Sequence, residues 1–250
     1  LKTLEQEAIM VQTLISAAAR HTNFLSVGYT TAYFLCIAAF IFALICSANV
    51  KATFNKYNRV GSRRGITAAE VARKILDRNG LYNVQVERIS GNLTDNFNPR
   101  TNIVSLSDSV YSSTSLAAIG VAAHECGHAV QHAHDYIPIK VRTAVFPLAR
   151  FGSSAYFIVF ILGLVFSFEP LVDAGIILFL FVVLFQLVTL PVEFNASRRA
   201  MQTIRSEGIL EQDELYGARR TLTAAAMTYV ASLIVSFTQL LRLLSYRNRR

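Results

Sequence analysis

Three stretches of this chain carry no charged side chain: Ala32–Ala48, Phe151–Phe168 and Ala174–Leu190. As helices rising about 1.5 Å per residue, each reaches roughly 25 Å, close to the ~30 Å hydrocarbon thickness of a bilayer. The first falls slightly short unless Thr30, Thr31, Asn49 and Val50 extend it. Glu169, Pro170 and Asp173 separate the other two, which read as antiparallel spans joined by a tight acidic turn. A fourth apolar run, Thr221–Leu241, is diluted by Thr, Ser and Gln239, and either spans or packs against its neighbours.

Composition supports a membrane protein. Of 250 residues, 53% are hydrophobic and 16% charged, against about a quarter charged in a soluble domain. The net charge of +8 is interspersed with apolar spans, which points to anionic lipid headgroups rather than nucleic acid. No phosphate-binding or base-stacking motif accompanies the basic residues. Cys36, Cys46 and Cys126 give no disulfide framework, and Cys126 is read as packing.

The expected organisation has six parts. Residues 1–30 hold an amphipathic helix with Leu1, Leu4, Ala8, Val11, Ile15 and Ala18 on one face, a candidate for self-association, bilayer contact or a partner complex. Residues 31–50 are the first span, 51–150 the longest polar stretch, 151–191 a transmembrane hairpin, 192–220 a further helix, and 221–250 the fourth apolar segment and basic tail. Lys51, Lys56, Arg59, Arg63, Arg64, Arg73 and Lys74 follow the first span, which places that side in the cytoplasm. Arg198, Arg199, Arg205, Arg219 and Arg220 fall on the same side. If the fourth segment spans, Arg242, Arg247, Arg249 and Arg250 emerge on the other.

Within residues 51–150, Thr67-x-x-Glu70 is a capping box opening a helix that runs to about Asp77 and stops near Gly80. Val84–Val86–Arg88 and Ile103–Val104–Leu106 read as short strands, the second a candidate to receive substrate as an added strand. The stretch between them, Gly91 to Thr101, is full of turn formers.

His124–Glu125–Cys126–Gly127–His128 lies inside a helix-compatible run, Leu116 to Ala133, preceded by Ser113–Thr114–Ser115 as N-cap oxygens. Residues four apart share a helix face, so His124 and His128 aim two imidazoles at one point. Glu125 sits where its carboxylate reaches a metal-bound water without ligating the metal. A catalytic zinc site needs a third protein ligand. His132 lies one turn further along the same face, suited to a supporting role. His134 has the metzincin spacing, but Gln131 stands where that motif needs a glycine. Glu193, just past Pro191, returns to the departure face if 151–190 is a membrane hairpin; it reads equally as an ordinary glutamate at a span end.

AAHECGHAVQHA and LVTLPVEFNASRRA, with NPRTNIVSLS and TFNKYNRV, closely resemble the YugP-like neutral zinc metallopeptidases, small membrane-bound bacterial proteins. The resemblance covers roughly residues 50–245. More distantly, the layout is similar to HtpX-type and CAAX prenyl endopeptidases, which pair H-E-x-x-H with a downstream E-x-x-A-D. That second element here reads Glu193–Phe194–Asn195–Ala196–Ser197, with Ser197 in place of the aspartate expected to support the ligands. The resemblance implies a gluzincin with Zn2+ held by His124, His128 and Glu193, and Glu125 as general base.

The architecture expected is therefore an α-helical membrane protein of the bacterial plasma membrane with a small α+β zincin-like domain. Its expected activity is zinc-dependent endoproteolysis of protein or peptide substrates at or near the membrane. Arg198, Arg199 and His134 are candidates for stabilising the oxyanion. Hydrolysis of a non-peptide amide or ester, or a silent zinc-stabilised scaffold, are the alternatives.

Overall fold

The computed structural model describes residues 28–247; the N-terminal amphipathic helix, Arg249 and Arg250 lie outside the described residues. The elements in chain order are α1 (Tyr29–Tyr57), α2 (Ala68–Arg78), β1 (Gln85–Ile89), β2 (Asn96–Asn98), β3 (Ile103–Ser107), α3 (Leu116–Ala133), α4 (Ile137–Val165), α5 (Glu169–Ser206) and α6 (Leu215–Arg247). Among the described residues the protein is mostly helical, with one small three-stranded sheet.

α1, α4, α5 and α6 are each long and apolar enough to cross a membrane. The outward faces of α1 and α4 carry Phe34, Phe40, Ile45, Phe151, Phe157 and Ile158 exposed. In water such a surface would associate, whereas in hydrocarbon it is the ordinary lipid-facing side of a span. Contacts fix the direction of α6. Gly217 at the start of α6 packs against Leu116 and Tyr57, and Arg247 at its end hydrogen-bonds Asp173 at the start of α5 (3.0 Å). α6 therefore runs the full length of the bundle beside α5, so the fourth apolar run has both the length and the path of a span. Residues 166–168 and 242–247 share one end of the bundle, and α2, α3 and the sheet sit at the other.

The helix bounds differ from those the hydropathy suggests. α4 begins at Ile137, and its N-terminal turns carry Lys140 and Arg142. It stops at Val165 because Ser167 takes a left-handed φ of 51°, allowing the Phe168 N–H to reach the Gly163 carbonyl (2.9 Å) and the Ser167 N–H the Leu164 carbonyl (3.2 Å). Gly80 (φ 72°) and Gly208 (φ 56°) close α2 and α5 in the same way. α5 continues through Pro191 without a break, so Glu193 stands on the apolar helix itself and not on a separate one.

α2 has its capping box: the Thr67 side chain accepts from the Glu70 N–H and the Glu70 side chain from the Thr67 N–H. α3 opens on Ser115, whose Oγ accepts from the Ala118 N–H (3.1 Å). The sheet order is β1-β3-β2, with β1 parallel and β2 antiparallel to β3. β2 arises within the turn-rich Gly91–Thr101 stretch; the Asp95 carboxylate before it accepts from the Ser107 N–H (2.7 Å) and Oγ–H (3.0 Å), pinning the loop to β3. This corrects the expectation for Ile103–Leu106. β3 is the central strand, its ladder filled on both sides, and cannot receive an added strand. Val104 and Leu106 on β3 pack with Val71, Ile75, Leu76, Ile119, Ala122 and Ile204 in the main core beneath α3.

A candidate metal centre between α3 and α5

α3 lies against α5 more closely than ordinary side chains allow. A Cβ on Gly127 would stand 2.8 Å from the Ala196 carbonyl oxygen. Gly127, the last of the three residues between the motif histidines, is thus a point of close approach, and it lets the imidazoles on α3 reach the carboxylate on α5.

His124, His128 and Glu193 converge there. Glu193 Oε2 is 3.3 Å from His124 Nε2 and 3.5 Å from His128 Nε2, and the two Nε2 atoms are 3.1 Å apart. Four ligands at ~2.0–2.1 Å around a tetrahedral zinc stand about 3.3 Å from one another, so this triangle has the edge lengths of one face of such a site. The donor set, two imidazoles and a carboxylate, suits zinc. Glu193 is 2% exposed, and a carboxylate so buried requires cationic or hydrogen-bonding partners.

Each of these three candidate ligands has a neighbour in contact with it. Ser197 Oγ is 3.1 Å from His124 Nδ1, filling the place the related motif gives to aspartate. Gln131 Oε1 is 3.0 Å from His128 Nδ1. Arg142, from α4, holds Nη1 3.6 Å from Glu193 Oε1, the oxygen turned away from the imidazoles, and lies over the Phe185 ring. Tyr229, from α6, directs its hydroxyl at Glu193.

Glu125 lies beside the triangle, half-buried. Burial pushes its carboxyl above the ordinary carboxylate range, with His124 and His128 pulling the other way. For His128, burial disfavours the charged ring, but the hydrogen bond it donates to Glu193 and the charges of Glu125 and Glu193 outweigh it. Without metal its pKa is raised.

The remaining sequence candidates are elsewhere. His132 is exposed and meets the edge of Phe97 on β2 (centroids 6.1 Å). His134 caps α3, its Nδ1 3.0 Å from the Val130 carbonyl. Arg198 is exposed, and Arg199 donates from Nε to Asn195 Oδ1 (2.9 Å). Cys126 is fully buried on the opposite side of α3 with Sγ toward the Ala72 carbonyl (3.5 Å), and burial pushes its thiol pKa up, as packing requires. Sequence reasoning missed Arg142 and Tyr229 and saw Gln131 only as a residue that continues the helix. Arg142 had one signal: a cation near the start of an apolar span.

A membrane-associated chain with a His–His–carboxylate triangle between an H-E-x-x-H helix and a long apolar helix defines a class, the membrane zinc peptidases. Residues 32–248 match the family model described as "Putative neutral zinc metallopeptidase", and the chain belongs to that family. It is 47% identical over 209 residues to the "Putative membrane protease YugP" of Bacillus subtilis strain 168, covering 84% of this chain and 93% of that protein. No solved structure matches it. Family and relative together mark the chain as a membrane protein and a zinc peptidase in general.

Proposed function

We propose that the chain is a membrane zinc metalloendopeptidase of gluzincin type, with a zincin-like α+β region seated on four spans. His124, His128 and Glu193 would hold the zinc, and Glu125 would be the general base. The observation that carries this reading is the triangle of Nε2, Nε2 and Oε2 atoms with edges of 3.1, 3.3 and 3.5 Å, with the Glu125 carboxylate one residue from His124.

Zinc, when bound, supplies a Lewis acid that acidifies water and polarises a peptide carbonyl. The Glu125 carboxylate takes the proton from the attacking water and returns it to the leaving nitrogen. Its partly buried position favours proton uptake, consistent with a base that is reprotonated in each turnover. Arg142 is the cation nearest the Glu193 end of the site and is better placed than Arg198, Arg199 or His134 to face the developing negative charge. An extended peptide would add to the free edge of β2, the edge strand on the α3 side, where Phe97 meets His132.

Glu193 stands on a spanning helix just beyond its apolar section, so the scissile bond would be presented at the bilayer boundary. This favours membrane or membrane-adjacent proteins as substrates. Lys51, Lys56, Arg59, Arg63, Arg64 and the arginines of residues 198–220 all fall at the end of the bundle that carries the site, which supports a cytoplasmic orientation. The test is Glu125→Gln: zinc is retained and peptide hydrolysis is lost. Hydrolysis at the wild-type rate would end the assignment of the base.

A further inference from the structure

Gln131 is completely buried, and each polar atom of its amide has a partner. Its Nε2 lies 2.8 Å from the Val192 backbone carbonyl and 3.0 Å from Asn195 Oδ1; its Oε1 lies 3.0 Å from His128 Nδ1. These partners leave no freedom. A backbone carbonyl only accepts, so the amide atom facing Val192 must be the NH2 group. Asn195 Oδ1 in turn accepts from Arg199 Nε–H, a group that only donates, so the atom Asn195 presents is an oxygen and again demands a donor from Gln131. The Gln131 oxygen is therefore left for His128, and an oxygen requires a protonated Nδ1.

From this chain of forced donors, and resting on the zinc-site reading above, we infer that Gln131 is a positioning residue that locks His128 in its Nδ1–H tautomer with the Nε2 lone pair turned to the metal. It performs a second task with the same amide. Val192 and Asn195 flank Glu193 on α5, so Gln131 fastens the His128 ring on α3 to the backbone turn that carries the third ligand. Orientation of one ligand and spacing to another are thus set by one side chain, while Arg199 keeps the Asn195 oxygen on the amide. Partners of metal-bound histidines that fix the tautomer typically contribute 10–100-fold in metal affinity.

The test has two arms in detergent-solubilised full-length protein. In the zinc-loaded wild type with 15N-labelled histidine, His128 should show zinc at Nε2 and the proton at Nδ1; zinc at Nδ1 overturns the proposal. Gln131→Met, similar in volume, should weaken zinc binding about 10–100-fold in chelator competition. Asn195→Ala, which touches no ligand side chain, should weaken it less. Combined with Gln131→Met it should add nothing, because its effect passes through the same amide. A zinc affinity for Gln131→Met within twofold of wild type, or additive losses in the double variant, would overturn the proposal. A wild type that binds no zinc would instead sink the metal-site reading itself, and the two failures are distinguishable.

Discussion

Gly127 and Ala196 bring two helix backbones into contact: a side-chain carbon at 127 would lie 2.8 Å from the Ala196 carbonyl oxygen. The H-E-x-x-H helix and the helix carrying Glu193 can bring His124, His128 and Glu193 together because Gly127, one of the three residues between the histidines, has no side chain. Gly127→Ala should therefore push α3 from α5 and cost about 1–3 kcal/mol despite alanine's better helix propensity. Zinc affinity should fall with it. Gly120→Ala is the control, since its Cβ would meet Ala218 at an ordinary 3.4 Å. Thermal unfolding with and without zinc compares the two; equal losses would contradict this account.

Ser197 supports His124 with a neutral hydroxyl at 3.1 Å. Removing it in Ser197→Ala should lower zinc affinity by about tenfold or more. Ser197→Asp, which restores the residue of the related E-x-x-A-D motif, should bind zinc at least as tightly as wild type, because a carboxylate makes the imidazole a stronger ligand. Chelator competition reads both.

Arg142 reaches the outer oxygen of Glu193 from a different span. Arg142→Leu should lower kcat about 10²–10³-fold at saturating zinc, the usual consequence of losing a donor that stabilises an oxyanion. A variant that loses zinc but regains full kcat when zinc is supplied would restrict Arg142 to holding the ligand.

The pH dependence has a definite sign. Glu125 must be ionised to accept a proton, and its pKa is raised. Burial raises that pKa and bound zinc would lower it, so activity at saturating zinc should be present above the value the loaded site sets and lost as pH falls through it. Zinc binding requires neutral His128, whose pKa in the metal-free protein is also raised. Affinity should begin to fall on acidification at a pH above the usual histidine value of about 6.5. pH profiles of kcat/KM and of zinc affinity check each limb separately.

What sequence revealed and what it hid follow from the range of the interactions involved. The bounds of α3, the Thr67–Glu70 box and the existence of the spans are set by local periodicity and caps, and all were legible. β2 was not: three residues pair with a strand several positions on, and the pairing depends on Asp95 reaching Ser107. The true end of α4 was hidden because Phe166 and Phe168 are as apolar as the span, and only the left-handed Ser167 turns the chain. The pair His124 and His128 announced itself through spacing. The parts played by Gln131 and Arg142 depend on which helices meet, and no local pattern encodes that.

The central claim is that α5 returns a carboxylate to the imidazole pair 69 residues after His124 (193 − 124). Zinc K-edge absorption and metal content on wild type and Glu193→Ala test it most directly. The account predicts one zinc per chain with two imidazole nitrogens, a carboxylate oxygen at about 2.0–2.2 Å and no sulfur, and loss of the metal in the variant. Sulfur in the shell, a third imidazole, or stoichiometric zinc retained by Glu193→Ala would contradict it.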